Sequence, residues 1–221
     1  FFTPVNFPVS IQQKRVYKTV HSYSKMSSTM ALEKGIAELV EEFIAAGRPS
    51  SRQQSITQRR EGYIASAVLA GETETRVDIQ TIELEGMTLR IVSPLNAPTL
   101  LPTIIYYYGG CFVSGGFATH DNQLRQLAYY GQCRVIAVQY RLAPEHTFPA
   151  AHDDAQRGAE LVRQHAERLG VDKQRITLAG DSAGGHLALV TALRLKRAGE
   201  WQPAQLILIY PMLDATAHFE S

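Results

Sequence analysis

From Pro102 onward, short apolar runs alternate with amphipathic segments, and this alternation constrains the fold more than any other feature. Many of the side chains in these runs are β-branched or aromatic, as is typical of buried strands. The runs are "TIIYYY", "CRVIAVQY", "RITLAG" and "AQLILIY", and the segments with a helical repeat between them are "DNQLRQLAYYGQ", "AAHDDAQRGAELVRQHAERLG" and "AGGHLALVTALRLKRAG". This order predicts an α/β fold, with a mostly parallel sheet covered by helices on both faces.

The N-terminal third has a different pattern. The stretch "ALEKGIAELVEEFIAAG" carries one apolar helical stripe, and "RQQSITQRREGYIASAVLAG" predicts a second helix. The period then changes to two in "TRVDIQTIEL" and "GMTLRIVSP", which predict a hairpin around Glu85 and Gly86. We therefore divide the chain into a helical cap segment, residues 1–70, and a sheet-containing domain, residues 71–221.

Charge and cysteine content exclude several classes of function. The 221 residues carry a formal net charge of +1 without a dense basic patch, which argues against a nucleic-acid partner. No apolar run is long enough to span a bilayer, so we expect no membrane partner. Two cysteines, Cys111 and Cys133, are too few for a disulfide framework and favour a cytoplasmic location. Cysteines and histidines lack metal-ligand spacing, so we expect no metal or cofactor, and a homodimer is left open.

The strongest chemical signal is Gly180-Asp181-Ser182-Ala183-Gly184, a G-x-S-x-G motif between a predicted strand and a predicted helix. A nucleophilic serine must project from a sharp, strained turn, and small neighbours permit that turn. The positive end of the helix dipole also favours negative charge there. The alternative is a glycine-rich helix start in which Ser182 serves as the N-cap. The strand–turn–helix context favours the nucleophile.

A second glycine cluster follows "TIIYYY", in "YGGCFVSGG". When a serine attacks an ester carbonyl, the resulting oxyanion is stabilised by fixed backbone N–H groups. With this serine motif, one donor follows the nucleophile, here Ala183, and another lies in the loop after an earlier strand. Gly109 and Gly110 supply that loop, where a Cβ atom would obstruct the approaching oxygen. The alternative is a plain glycine-rich turn.

Three stretches together give the chain a family resemblance: "YGGCF", "YRLAPEHTFPAA" and "GDSAGG", with "THD" also fitting. The chain resembles the hormone-sensitive-lipase-like group of α/β-hydrolase esterases, including bacterial acetyl esterases and carboxylesterases. The resemblance implies an α/β-hydrolase fold, with Ser182 as nucleophile and an oxyanion hole formed by Gly109, Gly110 and Ala183. It also implies that the N-terminal helices belong to a cap, and that Arg141 and Glu145 form an ion pair near the site.

The oxyanion loop departs from the family pattern at two positions. Tyr108 replaces the loop histidine, and Cys111 replaces the third glycine. The change at Cys111 is mild, because the predicted donors are the first two glycines. A phenol is longer than an imidazole and lacks its donor geometry, so Tyr108 is expected to change how the loop is supported and how the glycine N–H groups are aimed.

The remaining triad members are not evident. Family members are longer than this chain, and in this fold an acid and a histidine follow the serine. After Ser182 only His186 and His218 remain. We expect His186 to be carried away from the turn by its helix, and Asp214 to belong to a loop leading into a cap segment. The catalytic acid and histidine are therefore expected beyond residue 221, and residues 71–221 are expected to be the N-terminal portion of the catalytic domain.

These observations favour a serine carboxylesterase that hydrolyses small, short-chain acyl esters through an acyl-enzyme on Ser182. The short acyl chain is implied only by the resemblance. The rival hypothesis is a non-catalytic protein that binds a small molecule on a hydrolase fold, and it draws on Tyr108 and on the missing histidine.

Overall fold

The computed structural model describes residues 34–47 and 53–214, and the chain divides into two compact units, Phe1–Arg52 and Gln53–Ser221. In the first unit, helix α1 spans Lys34–Ala45, where the first helix is predicted. The second predicted helix forms as α2, Ile56–Ala65, and continues as a 3-10 turn over Ser66–Ala70. Both of these elements fall in the unit that contains the sheet.

One six-stranded sheet forms the centre of the second unit. Its strands are β1 (Val77–Leu84), β2 (Met87–Pro94), β3 (Leu101–Tyr107), β4 (Arg134–Val138), β5 (Val171–Asp181) and β6 (Gln205–Ile209). Their order is β1-β2-β4-β3-β5-β6, with β1 and β2 joined antiparallel at one edge and β3 to β6 parallel to one another. The mostly parallel sheet predicted from the sequence is confirmed, with an antiparallel start.

The predicted hairpin between β1 and β2 also forms. Leu84 pairs with Met87, so the loop holds only Glu85 and Gly86. Both loop residues have positive φ, 48° and 79°, as a two-residue turn matched to the twist of the strands requires.

Helices cover both faces of the sheet. After α2 they are α3 (Phe117–Gly131), α4 (Ala150–Gln164), α5 (Ala166–Leu169) and α6 (Ala183–Arg197). The tyrosines that end β3 show the two faces, because successive side chains of a strand alternate. The Tyr106 hydroxyl accepts a hydrogen bond from Gln123 of α3, whereas the Tyr107 hydroxyl donates to the Ala155 carbonyl of α4. Helices α3 and α4 therefore lie on opposite faces.

The carboxyl ends of the parallel strands gather the residues that the sequence analysis singled out. Strand β3 ends before the Gly109–Gly110 loop, and β5 ends at Asp181, directly before Ser182. Parallel pairing of β3 with β5, with Tyr107 opposite Gly180, brings the two ends side by side. Within residues 34–47 and 53–214, no helix is both long enough and apolar enough to cross a bilayer.

Candidate active site

Ser182 occupies a strained turn between β5 and α6. Its backbone has φ 52° and ψ −116°, a conformation rare for a residue with a side chain. Its N–H donates to the Ile209 carbonyl at 2.9 Å, and its carbonyl accepts from the His186 N–H at 3.1 Å. Ser182 stands at the N-cap position of α6, but its side chain makes no capping hydrogen bond to the helix. The hydroxyl is therefore not used in holding the helix end.

A glycine two residues further on permits this turn. A Cβ atom at Gly184 would collide with the Tyr107 carbonyl oxygen, which belongs to the backbone of β3. Because the obstacle is main chain, it cannot move aside as a flexible side chain would. The first turn of α6 thus lies directly against the end of β3, and only glycine fits between them.

The glycine loop after β3 is held against the same turn, with a different role for Gly109 from the one predicted. The Gly109 N–H donates to Oδ1 of Asp181 at 3.0 Å, so it is already used within the protein. A Cβ atom at Gly109 would collide with the Asp181 carboxylate. The glycine is therefore required by a contact of the chain with itself, whereas the sequence analysis attributed it to the approach of a substrate oxygen.

The next loop residues leave backbone donors available. Among the described residues, no acceptor binds the N–H groups of Gly110 or Cys111. The Gly110 carbonyl instead accepts from the N–H groups of Val113 and Ser114, which closes the loop on itself. Cys111 and Phe112 both have positive φ, 55° and 61°, and the Cys111 thiol is exposed. Strain of this kind at two adjacent side-chain-bearing residues is typical of functional loops.

Asp181 connects the loop to the Ser182 turn, and the sequence analysis missed it. Its buried carboxylate accepts from the Tyr106 hydroxyl at 2.8 Å and lies 3.2 Å from Nε2 of His120. Burial alone would raise the pKa of Asp181, but the hydrogen bonds from His120, Tyr106 and Gly109 outweigh it and lower that pKa below its ordinary value. The sequence offered one signal for Asp181, which is its position directly before the serine of the G-x-S-x-G motif.

Tyr108 supports the loop mainly through its ring. It is buried and stacks on Tyr140, with ring centroids 4.5 Å apart, and its edge meets Phe117. The Tyr140 hydroxyl donates to the Tyr108 carbonyl at 2.6 Å, whereas the Tyr108 hydroxyl reaches the Tyr140 carbonyl only at 3.5 Å. Burial raises the pKa of Tyr108, so its phenol is neutral. The tyrosine at this position thus belongs to an aromatic stack.

Arg60 of α2 ties the loop to the segment after β4. Its Nε donates to the Val113 carbonyl at 2.8 Å, and its guanidinium pairs with Glu145 at 2.7 Å. The hydrogen bonds from Arg60 hold the pKa of Glu145 at about 2. The ion pair expected between Arg141 and Glu145 is wrong. Arg141 binds Asp154 of α4 through both its backbone N–H and its guanidinium, and Glu145 faces α2 instead.

Two of the described histidines, His120 and His186, neighbour the Ser182 turn without binding its hydroxyl. His120, from the "THD" stretch, is buried beside Asp181, and Tyr63 of α2 packs on its edge. His186 was predicted to be carried away from the turn by its helix; its Nδ1 contacts the Met212 carbonyl at 2.9 Å, and the Met212 N–H in turn donates to the Ser182 carbonyl. No histidine of the described residues forms a hydrogen bond with the Ser182 hydroxyl. His218 lies outside the described residues.

Comparison with known proteins identifies the family of the chain. A family model described as alpha/beta hydrolase fold matches residues 104–221. Carboxylesterase NlhH of Mycobacterium tuberculosis is 38% identical over 141 residues, which cover 62% of this chain and 44% of that protein. Ethyl acetate hydrolase of Pseudomonas putida is 35% identical over 189 residues, covering 81% and 59%. The chain thus spans about half the length of these curated relatives.

Solved structures agree with the sequence relatives. The hyperthermophilic esterase from the archaeon Pyrobaculum calidifontis superimposes with a TM-score of 0.75 at 37% identity, over 83% of this chain and 60% of that one. A thermostable esterase from Pseudomonas putida gives a TM-score of 0.79 at 28% identity, over 88% and 61%. The matched family region includes both the glycine loop and the Ser182 turn. The chain therefore belongs to the hormone-sensitive-lipase-like family of α/β hydrolases.

Proposed function

We propose that this protein is a serine carboxylesterase that hydrolyses small, short-chain acyl esters through an acyl-enzyme on Ser182. The observation that carries the proposal is the strained Ser182 backbone combined with a hydroxyl that caps no helix. A serine whose backbone is strained and whose hydroxyl makes no capping bond has the features expected of a nucleophile. The names of the relatives, a carboxylesterase and an ethyl acetate hydrolase, support an ester as the substrate.

In this mechanism the Ser182 hydroxyl attacks the ester carbonyl as a general base takes its proton. The protonated base then gives that proton to the leaving oxygen, so the alcohol departs, and water hydrolyses the acyl-enzyme to release the carboxylic acid and free Ser182. Because no described histidine binds the hydroxyl, the base and its acid partner would come from outside the described residues. No step requires a metal or an organic cofactor.

The oxyanion would be bound by the N–H groups of Gly110 and Ala183, two of the three donors predicted from the sequence. Ala183 is the first residue of α6, where backbone N–H groups have no acceptor within the helix. The Gly109 N–H is donated to Asp181, and the free N–H of Cys111 is the better third donor. Gly109 then positions the loop, and Tyr108 supports it from the aromatic stack.

The test measures hydrolysis of p-nitrophenyl esters from acetate to dodecanoate by the full-length protein and by Ser182→Ala. We expect short esters to be preferred, and the substitution to lower kcat/KM at least about 10³-fold, because it removes the nucleophile. The control Ser66→Ala, in the 3-10 turn, should keep wild-type rates. Thermal unfolding of Ser182→Ala should match that of wild type.

The same protein distinguishes the rival hypothesis of a non-catalytic binding protein. An esterase is labelled at Ser182 by a fluorophosphonate probe, and the labelled peptide identifies the residue by mass spectrometry. A protein that neither hydrolyses acetate esters nor reacts with the probe would overturn the proposal. Hydrolysis with a preference for long esters would contradict only the short-chain specificity.

A further inference from the structure

A cavity beside the candidate site contains a pair of histidines that the proposed reaction does not use. Its volume is about 440 Å³, and its walls are largely apolar, including Phe112, Phe148 and Met212. His152 of α4 and His186 of α6 meet there, with their Nε2 atoms 3.1 Å apart. Each neutral imidazole carries one ring hydrogen, and the position of that hydrogen decides which nitrogen of each ring can bind a ligand.

The hydrogen bonds fix the neutral tautomers of the pair. A carbonyl oxygen only accepts, so Nδ1 of His186 carries the hydrogen that it donates to Met212. Nε2 of His186 then carries a lone pair, and it accepts a hydrogen bond from the Nε2–H group of His152. Nδ1 of His152 is left buried with no partner among the described residues. Nδ1 of His152 can therefore take up the ring hydrogen without displacing another partner, which would leave lone pairs on both Nε2 atoms for a shared ligand.

The separation of the two Nε2 atoms fits a shared metal ion. Two imidazole nitrogens bound to one tetrahedral Zn²⁺ at about 2.0–2.1 Å lie about 3.3 Å apart. The observed 3.1 Å is close to this value. The bond from Nδ1 of His186 to a backbone carbonyl is also the support that metal-binding histidines ordinarily have, because it fixes the ring and exposes Nε2.

We propose that His152 and His186 form a binding site for one transition-metal ion, Zn²⁺ or Cu²⁺, beside the nucleophile turn. Imidazole ligands favour these ions over Mg²⁺, and none of the described residues lining the cavity supplies a carboxylate. No set of three or more histidine, cysteine or acidic ligands is arranged to hold a metal in the described part of the chain. Water fills the remaining coordination positions. The proposal is independent of the proposed esterase activity.

The site is tested by isothermal titration of the metal-free full-length protein with Zn²⁺ and, separately, with Mg²⁺. All proteins carry Cys111→Ser, which removes the exposed thiol as a competing ligand. We expect His152→Leu and His186→Gln each to weaken binding of one Zn²⁺ by at least about tenfold. His146→Gln, which changes a third histidine lining the same cavity, should leave that binding unchanged.

A second measurement does not depend on the variants. With one equivalent of Cu²⁺, the electron paramagnetic resonance spectrum of the wild-type protein should show hyperfine structure from two imidazole nitrogens. Unchanged Zn²⁺ affinity in both His152→Leu and His186→Gln would overturn the proposal. So would equal binding of Mg²⁺, or a Cu²⁺ spectrum without that nitrogen coupling.

Discussion

The two walls of the candidate site are built by different means. The Ser182 turn is fixed by main chain packed on main chain, with Gly184 against the Tyr107 carbonyl and with hydrogen bonds to both the N–H and the carbonyl of Ser182. The glycine loop is closed by its own backbone hydrogen bonds, and three side chains, those of Asp181, Tyr108 and Arg60, add the contacts that hold it in the site. The Ser182 turn therefore has no side-chain contact that a substitution could remove, whereas the side-chain contacts of the loop can be removed one at a time.

The largest effect should follow from Gly184→Ala. The new methyl group would collide with the backbone of β3, so α6 must shift, and we expect a loss of more than about 3 kcal/mol in the free energy of unfolding. Gly62→Ala in α2 is the control, since its Cβ meets open space and should stabilise the helix by up to about 1 kcal/mol. Urea unfolding measures both. A Gly184→Ala protein as stable as wild type would show that the turn is less tightly packed than described.

Asp181→Asn should have a smaller effect, confined largely to activity. It replaces a carboxylate that binds Gly109, Tyr106 and His120, and a slight displacement of the loop is expected to lower kcat about 10- to 100-fold, with little change in KM. Asp172→Asn, at the opposite end of β5, is the matched control and should change kcat less than about twofold. An unchanged kcat in Asp181→Asn would separate the loop from this carboxylate.

The Asp181→Asn substitution should also change how the stability of the protein depends on pH. The pKa of Asp181 is lowered in the folded protein, so its charge contributes stability above the ordinary aspartate pKa of about 3.9 and loses that contribution as pH falls through the folded value. Wild type should therefore exceed Asp181→Asn in stability at neutral pH, and the difference should narrow below about pH 4. Thermal unfolding at a series of pH values measures this. A difference that widens in acid would contradict the lowered pKa.

The smallest effect is expected at the Tyr108 hydroxyl. Its contact at 3.5 Å is weak, so Tyr108→Phe should change kcat less than about twofold. Tyr108→His keeps a hydrogen-bonding group but loses much of the ring stacked on Tyr140, and we expect both its stability and its kcat to fall. A higher kcat in Tyr108→His would show instead that the tyrosine misaims the loop.

The difference between the two walls also explains which parts of the site can be predicted from the sequence and which cannot. The strand–helix alternation and the G-x-S-x-G motif locate the sheet, the hairpin and the Ser182 turn, because backbone geometry depends on local residue type. The partners of side chains depend on the fold. Arg60 and Glu145 lie far apart in the sequence, and the resemblance paired Glu145 with Arg141 instead. The use of the Gly109 N–H by Asp181 required the two strand ends to be seen together.

Helix α2 contacts the site through the Tyr63 ring, which packs on His120, and through the polar contacts of Arg60. None of its side chains is fully buried, and it is joined to the loop by the Arg60 guanidinium, which binds both Val113 and the exposed Glu145. Dissolved ions screen attraction between exposed charges, with a range of only about 8 Å at physiological ionic strength. Molar salt should therefore loosen α2 while leaving the close-packed Ser182 turn in place. We therefore expect salt to weaken the contacts on the α2 side of the candidate site and to leave the Ser182 side unchanged.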